Sequence, residues 1–248
     1  MRAGITTAVI PAAGIGSRAR DFFPDKPKGF IPIDGATLIE RSVGLLESRG
    51  VTRIVLVVGF RADCYREFAA SRSSIEIVEN HQYANSGSMA SVACGIDRVD
   101  HDLLLLESDL YYEPRALDEL FADERADVVL ASGATDAGDE YWVEAPDGSL
   151  KGLSPHVESL ASVDGEFVGI TKVSAELAQR MLKRYTSASS AEQISMRYEA
   201  DALLGAALEH DVGVRVVDDL LWGEVDCLEQ FHGLQSRIEA ARGRGVQL

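Results

Sequence analysis

Short, uninterrupted apolar runs alternate with amphipathic segments along the first half of the chain. Residues 7–10 read as a buried strand ending in Pro11-Ala12-Ala13-Gly14, and residues 54–58 (IVLVV) as a second, closed by Gly59. Ile75–Glu79, the fully apolar Leu103–Leu106 and residues 126–130 complete the set. Between them, residues 37–49 carry Leu38, Val43, Leu45 and Leu46 at helical spacing and stop at Gly50. Shorter helices are predicted over 62–68 and Ser88–Ile96, and another begins at Pro114. Strands with no polar alternation, separated by helices, predict a parallel sheet covered on both faces.

The second half changes character. Residues 142–145 and 150–153 read as a hairpin around the Pro146-Asp147-Gly148 turn. A strand over 166–172 leads into a helix from Ser174, and residues 185–193 (YTSASSAEQ) read as a polar loop. Residues 200–210 are predicted helical, 212–217 a strand and 228–242 the closing helix. No internal repeat or long linker interrupts the chain. The expected architecture is α/β: one domain over 1–248, with a Rossmann-like, mostly parallel sheet flanked by helices and a less regular C-terminal half.

Composition narrows the partners. The 248 residues, 46% of them hydrophobic, can bury a large core. With 24 basic against 40 acidic residues the net charge is −16, which disfavours nucleic acid, and no basic run appears. An anionic substrate would therefore need a locally basic pocket. Cys64, Cys94 and Cys227 are scattered and suggest neither a disulfide framework nor a zinc site. The N-terminal run passes too quickly from apolar strand to glycine turn to read as a signal peptide, and no stretch approaches membrane-spanning length. The expectation is a cytoplasmic protein with no membrane partner; the sequence does not set the oligomeric state.

The first strand runs into Ala12-Ala13-Gly14-Ile15-Gly16-Ser17-Arg18, with Pro27-Lys28 following. Gly14 and Gly16 allow a tight turn in which several N–H groups face one anion. Ala12 and Ala13 are small enough for a base or ribose to approach, and Arg18 and Lys28 supply positive charge. Glycines alone would equally suit an ordinary strand-to-helix turn; the two cations in register favour a phosphate cradle. Gly14, Gly16 and Ala19 also fit a dinucleotide fingerprint. Pro24 and Pro27 would break the helix that fingerprint requires, and the second strand ends in Val58-Gly59-Phe60 without the acid that should follow it.

Three further groups lie outside strand ends, where open α/β sheets bind ligands. Asp109, just past Leu103–Leu106, is placed to reach a phosphate-bound Mg²⁺, or to cap the turn before Pro114. Glu224 and Asp226 alternate along an extended segment and could complete a metal site or face solvent. Asn80 and Ser86, ahead of a helix, suit base recognition or N-capping. His81, His101, His156, His210 and His232 show no triad or metal-ligand spacing.

The run Ala12-Ala13-Gly14-x-Gly16-Ser17-Arg18 with Pro27-Lys28-Gly29-Phe30 resembles the signature of NTP-transferases with a GT-A-like fold. Asn80, Tyr83, Asn85-Ser86, Asp109, residues 165–174 (GEFVGITKVS) and Glu224-x-Asp226 extend the likeness to the small cytidylyltransferases, which act on phosphocholine and on phosphonates. The 166–174 string is most similar to the phosphonate branch (aminoethylphosphonate, hydroxyethylphosphonate or phosphonoformate as acceptor). The resemblance implies an enzyme with CTP as donor and Mg²⁺ as cofactor, an NTP-binding half over 1–135, and an acceptor-binding half over 136–248 that also carries metal ligands. It assigns Arg18 and Lys28 to the triphosphate. Ala12, Ala13, Gly14, Gly16, Ser17, Asn80 and Ser86 go to the nucleotide, and Asp109, Asp226 and Glu224 to the metal. Lys172, Arg197, Tyr198, Glu199 and Asp201 are expected around the acceptor. Lys172 and Arg197 would suit an anion, Glu199 and Asp201 an amine, and Tyr198-Glu199-Ala200-Asp201 lacks the tryptophan expected of a choline site. A sugar-1-phosphate or methylerythritol-phosphate transferase shares the glycine loop. The chain ends too soon for the β-helix of many sugar enzymes and has no Asp-Ala-Ala-Arg-Pro string. A catalytically silent nucleotide-binding regulator is the alternative of another class.

Overall fold

A computed structural model describes residues 4–244. Strand β1 (Thr7–Ala12) opens the fold, and a small hairpin of β2 (Pro32–Ile33) and β3 (Ala36–Thr37) leads into α1 (Leu38–Ser48). Then come β4 (Arg53–Val58), α2 (Ala62–Ala69), β5 (Ile75–Glu79), α3 (Ser88–Ile96), β6 (Leu103–Leu106), β7 (Leu110–Tyr112) and α4 (Arg115–Ala122). The second half carries β8 (Val128–Ser132), β9 (Trp142–Glu144), β10 (Gly152–Ser154), β11 (Gly165–Val173), α5 (Ala175–Ser187) and α6 (Ser190–Ser195). A π-helical turn (Tyr198–Leu203), α7 (Leu204–Ala207), β12 (Gly213–Val217), β13 (Trp222–Glu224) and α8 (Leu228–Gly243) finish it.

Nine strands form one sheet, in the order β10-β9-β11-β6-β1-β4-β5, with β8 and β12 added beyond the other edge of β11. β1 pairs in parallel with β4 and β6, and β4 with β5. Only β11 and β10 run against the other strands of this sheet. β11 is therefore the seam between the halves. Its last residues pair with β6, its first with β9, and its other edge with β8, across a register shift between Phe167 and Thr171. Gly169 inside that shift has φ 79°, a conformation that favours glycine.

Alternation along each strand builds two cores. Ala8, Ile10, Ile54, Leu56, Leu104 and Leu106 face one side, with Leu46, Tyr65 and Leu117 from α1, α2 and α4. Val9, Val55, Val57, Leu103 and Leu105 face the other, with Met89, Val92, Leu177 and Met181 from α3 and α5. Each Val, Leu, Ile or Met among them contributes roughly 1.5–3 kcal/mol by leaving water. A third cluster holds α8 against β7 and β13 through Tyr111, Val225, Leu234 and Ile238.

Local signals explain most boundaries. Thr37 and Glu40 form a capping box at the start of α1, worth about 1 kcal/mol. Gly50 follows the helix at φ 84°. Ser174 caps α5 through the Leu177 N–H. The polar loop expected over 185–193 is mostly helix instead: α5 runs to Ser187, and Ser189 with Glu192 forms a capping box that starts α6. The segment after Asp109 is strand β7, paired antiparallel with β13. Among the described residues no helix is long and apolar enough to cross a membrane.

Candidate active site

The carboxyl ends of β1 and β6 open on a cleft of about 440 Å³. Pro11, Ala12, Ala13 and Gly14 form one wall. Just past them the N–H groups of Gly14, Ile15, Gly16 and Ser17 have no hydrogen-bond acceptor among the described residues, which leaves a cluster of donors for a ligand or solvent. The Ala13 carbonyl is anchored by the Phe60 N–H at 3.0 Å, which fixes the loop to the end of β4. Gly16 lies outside the lining and serves a different purpose. At φ 61° it passes so close to Lys28 that an added Cβ would come within 2.7 Å of Lys28 Cγ.

Lys28 is the centre of the charged cluster. Its ammonium donates to both Asp109 and Asp226, which approach from opposite halves of the chain. Burial alone would lower the Lys28 pKa; the two carboxylates outweigh it and hold the group above its ordinary value, so it stays charged. Arg18 donates to Asp226 at 2.5 Å and to Asp139 at 2.8 Å, with 58% of its side chain exposed. Glu224 lines the same cleft but hydrogen-bonds with Glu107 rather than with Lys28. Burial, with Glu107 and Asp109 nearby, pushes the Glu224 pKa well up, and burial with Asp109 and Glu199 raises that of Glu107. Burial and mutual repulsion thus disfavour charge on both carboxylates of the pair. Of the three acids expected at a metal, two converge and Glu224 is drawn into this separate pair.

Ser86 lines the cleft with Tyr83 and Ser91. Asn80, 3% exposed, lies behind them: its side-chain amide donates to Ser91 Oγ at 3.0 Å and to Ser86 Oγ at 3.5 Å. Its role here is to hold the serines rather than to line the cleft. Ser17 is likewise outside the lining.

At the far end Tyr198 and Glu199 reach the cleft from the π-helical turn. The turn is clasped to the start of α3, where Ser88 Oγ accepts from the Tyr198 N–H at 2.9 Å and donates to Glu199 at 3.2 Å. Gly87 makes this approach possible, since a Cβ there would meet the Met196 carbonyl at 2.2 Å. The buried Tyr198 hydroxyl donates to Glu107. Arg197 stays on the surface, 5.8 Å from the Tyr141 ring and bonded to the Tyr141 hydroxyl, which itself belongs to the cleft.

Two expectations for the acceptor end are corrected. Lys172 does not line the cleft; its ammonium donates to the Asp123 carbonyl at 2.7 Å. The reason is strand direction. β11 runs antiparallel to β6, so Glu166 and Phe167 lie at the ligand edge and Lys172 at the opposite one. Asp201 caps the π-helical turn, accepting from the Arg197 N–H at 2.7 Å, and faces outward.

Several cleft residues were not anticipated. Glu107 sits between the two halves, and its place directly after an apolar strand is the same signal that marked Asp109. Glu166, 4% exposed, accepts from the Thr135 N–H at 2.5 Å and hydroxyl at 2.8 Å, fixing the 133–141 loop. Burial raises its pKa to about 7, against the opposing effect of the Thr135 hydrogen bonds. Thr135, Ala137 and Asp139 reach the cleft from that loop, Tyr65 from α2 and Trp222 from β13. Nothing in their local sequence singled them out.

Comparison with known proteins agrees with this geometry. Residues 8–194 match the profile of the MobA-like NTP transferase domain. The chain is 34% identical over 128 residues to the CMP-5'-(3-aminopropyl)phosphonate synthase of Streptomyces rubellomurinus, covering 50% of this chain and 20% of that protein. It is 29% identical over 106 residues to the 2-aminoethylphosphonate cytidylyltransferase of Lancefieldella rimae, covering 42% of this chain and 43% of that protein. The matches thus span less than half the length of these curated relatives. Among solved structures, the inositol-1-phosphate CTP transferase from T. maritima superposes with a TM-score of 0.79 at 21% identity, covering 96% of this chain and 98% of that one. That likeness concerns the fold.

Proposed function

The chain belongs to the MobA-like NTP transferase family, and from that premise we propose that it is a cytidylyltransferase. It joins the cytidylyl group of CTP to a small phosphonate or phosphate-monoester acceptor and releases pyrophosphate. The observation that carries this reading is the convergence of Lys28, Asp109 and Asp226 beside the Ala12–Gly14 wall.

An acceptor oxyanion attacks the α-phosphorus of CTP, and the bond from that phosphorus to the bridging oxygen of pyrophosphate breaks. Phosphonates and phosphate monoesters are already ionised near neutral pH, so no general base is required. The chain's task is to align two anions that repel each other and to neutralise charge on the departing group. Lys28 and Arg18 supply positive charge at the phosphates, while Pro11–Gly14 and Ser86 enclose the nucleoside. Tyr198, Glu199 and the 133–141 loop shape the acceptor end.

The donor set fits a hard divalent cation. Two aspartates already converge on a single positive charge, and carboxylate oxygens are the ligands Mg²⁺ prefers. Among the described residues no group of three or more His, Cys, Asp or Glu side chains is arranged to hold a metal. Asp109 and Asp226 would therefore hold Mg²⁺ together with phosphate oxygens of the nucleotide. When bound, the ion adds charge neutralisation at the phosphates.

The test is a pyrophosphate-release screen crossing four NTPs with aminoethylphosphonate, hydroxyethylphosphonate, phosphonoformate, phosphocholine and a sugar 1-phosphate. Release with CTP and a phosphonate or phosphate monoester is expected. CTP binding without release from any acceptor would favour a silent regulator, and release only with a sugar phosphate would move the chain to that branch.

A further inference from the structure

The Arg18 guanidinium is engaged by two carboxylates. One arm holds Asp226 and the other holds Asp139 Oδ2. Asp139 belongs to the 133–141 loop between β8 and β9, which brings Thr135, Ala137 and Tyr141 to the acceptor end. Its second oxygen, Oδ1, accepts from Gln230 Nε2 at 2.6 Å. Gln230 in turn accepts the Asp226 N–H at 2.7 Å and the Cys227 N–H at 3.2 Å. A single carboxylate thus links a cation on the phosphate side to the loop on the acceptor side.

Taking as its basis the reading that Arg18 binds the triphosphate, we propose that Asp139 is a stand-in anion. It occupies Arg18, and the triphosphate displaces it, so that CTP binding releases the 133–141 loop.

The energetics favour exchange. Arg18 is 58% and Asp139 26% exposed, and ion pairs this open to water are weak. A triphosphate brings several negative charges and oxygens matched to the guanidinium fork. Asp139 cannot stay beside it without like-charge repulsion. The loop also has a fixed point about which to move. Thr135 is held by Glu166, and beyond it Asp136 (φ 56°) and Gly138 (φ 91°) take left-handed conformations before Asp139. Release of Asp139 from Arg18, with its Gln230 hydrogen bond exchanged for water, leaves residues 136–141 tethered through Thr135 at one end and Tyr141 at the other.

The experiment is calorimetric titration of CTP, with magnesium present, into the full-length wild type, D139N, R18A and the double variant. D139N should bind CTP about fivefold more tightly than wild type, and the same change in the R18A background should do nothing. A purely structural role for Asp139 would not vanish with Arg18. Hydrogen exchange over residues 134–141 should rise when CTP is added to wild type, and should already be high in D139N. Weaker or unchanged CTP binding by D139N overturns the proposal, as does tightening that persists without Arg18. Loop exchange that CTP leaves unchanged or slows also overturns it. Should D139N fail to melt cooperatively, Asp139→Ser carries the same measurements. A folded wild type that binds no NTP would overturn the cytidylyltransferase reading and this inference together, whereas normal CTP binding with an inert Asp139 would overturn this inference alone.

Discussion

Lys28 and Asp226, 198 positions apart in the chain, share an ammonium–carboxylate bond at the mouth of the cleft. Neither partner is fully exposed, at 20% and 13% for the side chains, so their charges act with less screening than a surface pair. Lys28→Ala and Asp109→Ala should each lower turnover about 100-fold or more while the circular dichroism and melting profile stay close to wild type. Near-normal turnover in either folded variant would remove these residues from the chemistry.

Gly16 tests whether the position of Lys28 matters as well as its charge. Alanine at φ 61° costs about 1–2 kcal/mol in backbone conformation, and its Cβ would press on Lys28 Cγ from 2.7 Å. Gly16→Ala should lose turnover about 10-fold or more with only a modest fall in melting temperature. Gly35→Ala, at φ 85° with nothing within 4 Å of an added Cβ and outside the cleft lining, is the matched control for backbone strain. Equal effects from the two would argue against positioning through Lys28.

Much of the frame was legible in the sequence because buried parallel strands must be apolar on both faces. Residues 54–58 and Leu103–Leu106 carry that mark, while Ile75–Glu79, at the sheet edge, is half-buried and includes Glu76. The Ala12–Lys28 loop and Asp109 were readable because their residue types suit few other tasks. What escaped depends on strand direction and on distant partners. Lys172 was misplaced because nothing local says that β11 runs backwards. β7 is three residues long and gains its identity only from β13. The α6 cap, Ser189 with Glu192, was present as a Ser-x-x-Glu signal but was outweighed by the polar composition around it.

Glu166 should leave a trace in stability. Its folded pKa of about 7 lies above the ordinary 4.5, because burial penalises the charged form. Below pH 4.5 both states are protonated and nothing is lost; between 4.5 and 7 the unfolded chain ionises first. Stability should therefore fall as pH rises through this window, by up to about 1.4 kcal/mol per pH unit before screening reduces it. Urea unfolding at a series of pH values should show this slope, and Glu166→Gln should flatten it. A variant with the same slope as wild type would assign it to other groups.

The contrast between Glu224 and Asp226 separates ligand from neighbour. Glu224→Gln keeps a hydrogen-bonding partner for Glu107 and should retain turnover within about 3-fold. Asp226→Asn removes a charge from the Lys28 meeting point and should cost about 100-fold, with a higher Mg²⁺ requirement. Metal titrations of both variants at saturating CTP check this. The reverse order would move Glu224 into the metal shell.

The antiparallel seam has a bearing on how the chain is made. The last residues of β11, Ile170–Val173, are what cover the outer edge of β6, Leu103–Leu106. During synthesis β1, β4, β5, β6 and β8, the first five strands of the large sheet, emerge before that cover exists. A nascent chain stopped near residue 135 would thus present an apolar, unpaired strand to any similar strand nearby, which is a template for aggregation. Residues 1–135, although they read like a unit, should not be separable as a soluble fragment.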